Sequence, residues 1–96
     1  MYEIAWTPAA LESYEQILDF ILQHWSINQV MKLDQEIKDL ESRLKKHPYL
    51  CPPSTEYPSL RRCIISKQTS LIHRVIGNTI QIIAVLDNRS KHPFLT

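Results

Sequence analysis

The strongest constraint on the fold is a change in hydrophobic period near residue 48 of the 96-residue chain. Before this point, apolar residues recur at steps of three and four, the spacing of a helix with one buried face. After a proline-rich segment (48–59), three runs rich in Ile, Val, Leu and Thr follow one another, which is typical of strands. The sequence therefore predicts an α+β fold, helices first and sheet last, in a single domain spanning residues 1–96.

Two helices are predicted between residues 7 and 46. Thr7 followed by Pro8 is typical of a helix start, because Thr caps the first turn and Pro lacks an amide hydrogen that would have no partner there. Ser26, followed three residues later by Gln29, indicates a second start, so the first helix should end near Trp25. The apolar stripes of both segments favour an antiparallel helical hairpin.

Four strands are predicted around this hairpin. Residues 2–6 alternate between apolar and other side chains, which indicates a short first strand. Segments 60–66, 69–76 and 79–86 form the later strands, and Gly77-Asn78 is typical of a two-residue β-hairpin turn. The expected architecture is an N-terminal strand, the helical hairpin and a three-stranded antiparallel meander, with one sheet packed against the helices.

Charged residues are divided unequally between the two halves of the chain. Residues 1–42 carry two basic and eight acidic side chains, whereas residues 43–96 carry nine basic and two acidic ones. Such a division within one small domain predicts a basic surface that attracts an acidic partner, either nucleic acid or an acidic protein segment. The alternative is a charge dipole without functional consequence.

Two adjacent titratable residues interrupt the third of the four strands. His73 and Arg74 must lie on opposite faces, because successive side chains of a strand alternate. Burying a guanidinium without a partner is costly, so the face with Arg74 should be open to solvent or provide an acceptor. An open sheet face with an arginine would suit a phosphate group, and the alternative is an ordinary surface arginine.

Further basic side chains flank this strand in sequence. They are Arg61, Arg62, Lys67, Arg89, Lys91 and His92. If the strands pair as a meander, Arg61, Arg62 and Lys67 are expected to lie beside Arg74 and to line one groove with Arg89 and Lys91. His92 would be able to exchange protons near neutral pH, although a solvated basic terminus is the alternative for the last three residues.

Composition and motifs exclude several other functions. No apolar run is long enough to span a bilayer and the N-terminus does not resemble a secretory signal, so we expect a cytosolic protein without a membrane partner. Gly77 is the only glycine, which excludes a glycine-rich phosphate loop, and there is no HExxH motif. Cys51 and Cys63 are expected to be reduced thiols and no Cys/His cluster has zinc spacing, so neither metal nor cofactor is predicted.

The element order and three short motifs together resemble the RelE/ParE superfamily of type II toxins. The motifs are Leu60-Arg61-Arg62, His73-Arg74-Val75 and Val85-Leu86-Asp87-Asn88-Arg89. The likeness covers nearly the whole chain and implies a small bacterial toxin with a sheet backed by two helices. It also implies a cognate antitoxin, whose flexible segment wraps around the toxin and neutralises it in a hetero-oligomer.

The resemblance to the RelE-like branch implies a ribosome-dependent mRNA endonuclease without a metal. Toxins of this branch orient phosphate with basic residues of the sheet, and a C-terminal His or Tyr helps to move protons at the 2′-hydroxyl. His92 would take this part because Phe94 has no hydroxyl, and Glu56 is a more distant candidate for the general base. The predicted site has Arg74, Arg89 and His92 as catalytic residues and Arg62, Lys67 and Lys91 as substrate contacts.

Two alternatives stay open for the activity. ParE-like toxins act on DNA gyrase and need no catalytic set, and a net charge of only +1 suits them better than a ribosome binder. A degenerate member of the superfamily would keep the fold and antitoxin binding without toxicity.

Overall fold

A computed structural model describes residues 1–88, which form two helices and four strands. In chain order these are β1 (Glu3–Trp6), α1 (Pro8–His24), α2 (Ile27–Lys46), β2 (Arg61–Ile64), β3 (Thr69–Ile76) and β4 (Thr79–Asp87). The predicted α+β order is confirmed, and each strand end lies within two residues of its predicted position. Neither helix in this part of the chain has the length and hydropathy needed to cross a bilayer.

Both helices begin at the predicted caps. The Thr7 hydroxyl accepts a hydrogen bond from the amide of Ala10 at 3.0 Å, and the Ser26 hydroxyl accepts one from the amide of Gln29 at 3.3 Å. Each bond satisfies one of the backbone N–H groups that a helix start leaves without a partner. The two helices then run antiparallel across one side of the sheet.

The sheet has the strand order β1-β4-β3-β2. The pairs β2–β3 and β3–β4 are antiparallel, as the meander requires, whereas β1 lies parallel to β4. The helical hairpin makes this parallel pairing possible, because it carries the chain from β1 across one face before the meander begins. Gly77 has a φ of 55° in the β3–β4 turn, a left-handed conformation that glycine adopts readily.

The two faces of the sheet differ in composition. The inner face packs on the helices and carries buried residues of the main core: Cys63, Leu71, His73, Ile80, Ile82 and Val85. The outer face carries the side chains that alternate with these: Arg62, Ile64, Ser70, Ile72, Arg74, Ile76, Gln81, Ala84 and Leu86. A shift in register between β3 and β4 leaves Ile83 as one extra residue of β4, so Ile82 and Val85 both reach the core.

The prediction of two reduced thiols is wrong, because Cys51 and Cys63 form a disulfide. The proline-rich segment does not stay apart from the sheet: Pro53 forms an isolated bridge with Arg61, and the amide of Arg62 donates to the carbonyl of Pro52 at 3.1 Å. This pairing lays residues 51–53 along β2. The sequence pattern around each cysteine carries no sign of this contact, since it forms between a loop and a strand.

Candidate functional site

Arg62 and Arg74 both lie on the outer face, opposite the helices. Arg62 of β2 is paired with Ile72 of β3, and Arg74 follows Ile72 by two residues. Residues two apart in a strand point to the same side, and residues directly opposite in neighbouring strands share that side. The structure therefore brings these two predicted site residues onto one surface.

Arg74 is exposed and is oriented by a neutral partner. Its Nε donates a hydrogen bond to Oε1 of Gln81 on β4 at 2.7 Å. The prediction that this face is open or provides an acceptor is thus confirmed by the acceptor: Arg74 itself is exposed, but Ser70, Ile72, Ala84 and Leu86 on the same face are buried. Because an amide oxygen carries no net charge, it fixes the guanidinium without cancelling its positive charge.

Arg62 is half-buried and is held by two neutral side chains. Its Nε donates to the hydroxyl of Ser70 at 3.1 Å, and its Nη2 donates to Oδ1 of Asn88 at 2.9 Å. The hydroxyl of Ser70 donates to the same Asn88 oxygen at 2.6 Å. Arg62 is therefore positioned more rigidly than Arg74, again without an opposing charge among these partners.

Asn88 and Ser70 are the members of this network to which sequence analysis assigned no role, and Asn88 makes the most contacts. Its side-chain amide donates to the carbonyls of Ser66 and Lys67 at 3.3 and 3.2 Å, and its backbone amide donates to the carbonyl of Gln68 at 2.8 Å. Asn88 thus joins the end of β4 to the β2–β3 turn and holds Arg62 in place. Its only sequence signal was its place in a motif used to identify the superfamily.

The remaining predicted basic residues have different positions. Lys67 is exposed in the β2–β3 turn, on the side where Asn88 anchors Arg62. Arg61 is turned away from the outer face: its Nη1 donates to the carbonyl of Cys51 at 2.7 Å, and its guanidinium lies 4.8 Å from the ring centroid of Tyr49. Three predicted site residues lie outside the described part of the chain: Arg89, Lys91 and His92.

The two arginines are directed to different parts of the outer face: Arg62 reaches back toward Ser70 of β3, whereas Arg74 reaches across to Gln81, its partner on β4. Ile72 lies between them in a buried cluster with Ala84 and Leu86. Arg74 follows Ser70 by four positions, which corresponds to about 13 Å along the strand at about 3.3 Å per residue. The pair is therefore suited to an extended anionic partner, such as a nucleic-acid backbone or an acidic peptide, and less to a single phosphate.

His73 does not contribute to the outer face. Its side chain is fully buried on the inner face, and within residues 1–88 neither ring nitrogen has a hydrogen-bond partner. Burial first, and then the positive charge of nearby Arg61, lowers the pKa of His73 to about 4. The imidazole is therefore neutral at pH 7 and faces away from Arg62 and Arg74.

A separate groove lies between α1 and the end of β4. This groove has a volume of about 310 Å³ and includes the exposed aromatic side chains of Phe20 and Trp25. Its other lining residues are mostly apolar or neutral, and Asp87 is its one acidic member among the residues described. The groove therefore does not match the acidic partner that the charge distribution predicts.

Comparison with known proteins gives the family. The model of the family described as the ParE toxin of the type II toxin-antitoxin system, parDE, matches residues 4–91. Because the match begins in β1 and runs past β4, it includes both arginines of the outer face. No curated protein matches the sequence.

Solved structures share this fold at low sequence identity. The chain is similar to a chain of the chromosomal ParDE toxin-antitoxin system from P. aeruginosa, with 22% identity, 91% of this chain and 96% of that chain covered, and a TM-score of 0.75. The YoeB/ParE toxin from Agrobacterium tumefaciens is 16% identical, with 90% of this chain and 98% of that chain covered and a TM-score of 0.65. A chain of the YoeB-YefM complex from Staphylococcus aureus is 17% identical, with 90% of this chain and 95% of that chain covered and a TM-score of 0.59.

Proposed function

Because the chain belongs to the ParE toxin family of type II toxin-antitoxin systems, we propose that it inhibits DNA gyrase through the outer face of its sheet. The supporting observation is the pair of guanidinium groups that neutral partners hold at two different positions on the outer face. Gyrase engaged on DNA offers an extended series of negative charges. Two separated cations bind such an extended series better than they bind a single compact anion. The target implies action in the cytoplasm.

The side chains of the outer face favour binding over proton transfer. Among residues 1–88, the groups around the two arginines are the hydroxyl of Ser70 and the amides of Gln81 and Asn88. General acid–base catalysis needs a group that gains or loses a proton near the working pH, whereas these groups bind and orient anions. The described part of the face therefore has the chemistry of a recognition surface.

An mRNA endonuclease is the second candidate, and the exposed guanidinium of Arg74 supports it. A positive charge on an open face would stabilise the phosphate of a strand being cut. In that case proton transfer would depend on His92, with Arg89 as a second catalytic cation and Lys91 as a substrate contact. This candidate differs from the first in requiring a histidine that titrates near neutral pH.

The antitoxin is proposed to bind the same face. YoeB and YefM from Staphylococcus aureus form a toxin-antitoxin complex, and we infer that this chain forms a hetero-oligomer of the same kind. Ile64 and Ile76 are 70% and 49% exposed on the face that carries the arginines. An acidic amphipathic segment would therefore pair with the guanidinium groups and also bury apolar surface.

The proposal is tested by measuring gyrase supercoiling and mRNA integrity with the same purified toxin. Wild-type toxin should inhibit supercoiling and leave mRNA intact in a translation extract. Arg74→Gln should weaken inhibition about 10- to 100-fold, since a lost hydrogen bond to a charged group is worth about 1.5–3 kcal/mol. Arg43→Gln is the matched control, because it removes the same charge from an exposed position at the end of α2.

The other outcomes decide between the alternatives. Cleavage of translated mRNA with gyrase unaffected, and its loss in His92→Gln, would overturn gyrase inhibition in favour of the nuclease. Antitoxin binding without either activity would identify a non-toxic member. Equal inhibition by wild-type and Arg74→Gln toxin would reject the outer face as the gyrase-binding surface.

A further inference from the structure

Cys51, Cys63 and His73 form a buried cluster on the inner face of the sheet. Their side chains are 9%, 3% and 0% exposed, and one potential ligand atom from each lies within 4.8 Å of the other two. Within residues 1–88, both ring nitrogens of His73 lack a hydrogen-bond partner. A buried polar group without a partner destabilises the folded state, so this imidazole is an unused ligand directed into the core.

The sheet register accounts for the cluster. Cys63 of β2 is paired with Leu71 of β3, and His73 is the next β3 residue on the same face. The third member, Cys51, is brought to β2 by the bridge between Pro53 and Arg61. Three ligand-type residues from a loop and two strands therefore converge, although none of their sequence spacings is typical of a metal site.

The disulfide controls whether the sulfur atoms are available as ligands. A dithiol reductant would convert the bridge into two thiols, supplying two electrons and two protons and becoming a cyclic disulfide itself. Metal binding would then release both thiol protons, because the thiolate is the ligand. Metal–sulfur distances of about 2.3 Å would place the two sulfurs about 4 Å apart. This separation is smaller than the 4.8 Å within which all ligand atoms of the cluster now lie.

We propose that the reduced protein binds one Cu(I) ion through Cys51, Cys63 and His73. Thiolates select Cu(I) or Zn(II) among biological metals, and imidazole accepts both. Structural zinc sites use four protein ligands, and catalytic zinc sites add a water to three. A buried cluster of three ligands suits Cu(I) better, since Cu(I) is stable with three ligands whereas Zn(II) takes a fourth.

The charge next to the cluster also favours a monovalent ion. Two thiolates, a neutral imidazole and Cu(I) carry one net negative charge, whereas the same ligands around Zn(II) carry none. Arg61 lies opposite His73 in the β2–β3 pairing, and its guanidinium donates to the carbonyl of Cys51 at 2.7 Å. One positive charge is therefore in place to compensate the Cu(I) site, which lowers the cost of burying it.

The test compares reduced and oxidised wild-type protein under anaerobic conditions. After reduction with a dithiol and its removal by gel filtration, Cu(I) is added as its acetonitrile complex against a chromophoric Cu(I) chelator. We expect one Cu(I) per reduced chain by native mass spectrometry, and two sulfur ligands and one nitrogen ligand by X-ray absorption. The oxidised protein keeps its fold but has no free thiols, so its affinity for Cu(I) should be at least about 100-fold lower. A loss of this size exceeds the ~10- to 100-fold effect of changing residues that only orient the metal ligands.

A histidine variant tests the third ligand. His73→Gln should weaken Cu(I) binding at least about tenfold, whereas His47→Gln, which removes an exposed histidine outside the cluster, should not. Circular dichroism shows whether His73→Gln is folded; if it is not, the comparison of reduced and oxidised wild type decides. Equal Cu(I) affinity in both redox states, unchanged affinity in folded His73→Gln, or tighter binding of Zn(II) than of Cu(I) would overturn the proposal.

Discussion

Tyr14 joins the two helices through a single hydrogen bond. Its hydroxyl donates to Oδ1 of Asp34 at 2.9 Å, while Nζ of Lys38 lies 3.0 Å from the other carboxylate oxygen. The hydrogen bond from Lys38, and then that from Tyr14, lowers the pKa of Asp34. Burial, and then the bond to Asp34, raises the pKa of Tyr14. At neutral pH the ionised carboxylate and the neutral phenol therefore stabilise the contact between α1 and α2.

Tyr14→Phe is expected to lower the free energy of unfolding by about 0.5–1.5 kcal/mol at pH 7, the usual net value of one hydrogen bond. A carboxyl group whose pKa is lowered by folding contributes stability above its unfolded pKa, and this contribution disappears as the pH falls through the folded pKa. Urea titrations at pH 7 and pH 3 should therefore show a smaller difference at pH 3. Tyr2→Phe, at another half-buried tyrosine, is the control, and a pH-independent difference would contradict the assignment to Asp34.

His73 and Arg74 show what single residues reveal before a structure is known. Their adjacency predicted that they face opposite sides, and the cost of burying a guanidinium predicted the environment of Arg74. The surroundings of His73 were not predictable, because they depend on Cys51 and Cys63 meeting through loop pairing. Arg61 and Arg62 were both predicted to lie beside Arg74; Arg62 does, whereas Arg61 is on the face of His73. The anchoring of Arg62 by Asn88 depends on where β4 ends in space.

At the level of elements, Ser13 connects α1 to β4 where the parallel strand pairing stops. The β1–β4 pairing ends at Trp6 and Ile82, so the amide of Val85 has no partner in β1. The hydroxyl of Ser13 accepts that amide hydrogen at 3.0 Å and donates to the carbonyl of Ala10 at 2.9 Å. The side chain of Ser13 thus provides the hydrogen-bond acceptor that β1 would provide if it extended further.

Ser13→Ala should lower the free energy of unfolding by about 1–3 kcal/mol, because it leaves the buried amide of Val85 without an acceptor. Ser42→Ala, on the exposed side of α2, gives the same change in helix propensity and should have little effect. Urea unfolding of the three proteins measures the difference. Equal stability of the two variants would show that water or another group satisfies Val85 in place of Ser13.

The β3–β4 hairpin depends on one backbone conformation. Gly77→Ala is expected to cost about 1–2 kcal/mol, because an L side chain is unfavourable at its φ of 55°. Apart from Gly77 and its two chain neighbours, no heavy atom lies within 4 Å of the added Cβ, so steric contact with other residues does not contribute. Gly77→Asn should cost less, since Asn tolerates this conformation, and thermal unfolding ranks the variants. Similar losses for Ala and Asn would contradict a purely conformational origin.

Local signals explain why some elements were predicted well. The caps at Thr7 and Ser26 and the Gly77-Asn78 turn depend on neighbouring residues, so a sequence pattern contains them. The parallel position of β1 and the extra residue Ile83 arise from pairing between distant segments. Pairing of this kind leaves little trace in local periodicity, although it determines which side chains share a face.

For the whole molecule, the division of charge in the sequence becomes only in part a division between layers. The helix α1 carries three acidic side chains and no Lys or Arg, whereas α2 carries four acidic and five basic ones, and Arg62 and Arg74 lie on the opposite face of the sheet. A negatively charged partner is thus attracted to the outer face and repelled from α1. The inner layer between these surfaces contains the disulfide, which ties the proline-rich loop to the sheet.

Reduction of this disulfide is expected to lower the free energy of unfolding by about 3 kcal/mol, because the bridge restricts the unfolded chain over a sequence separation of 12 residues. Urea titrations with and without a dithiol measure the loss. A Cys51→Ala/Cys63→Ala variant has no bridge to reduce, so its stability should be the same in both conditions. Cu(I) should restore part of the loss in the reduced wild type and none in the double variant, because a ligand that binds the folded state stabilises it. A wild type whose stability does not change on reduction would show that contacts of the proline-rich loop, and not the bridge, fix Cys51 beside Cys63.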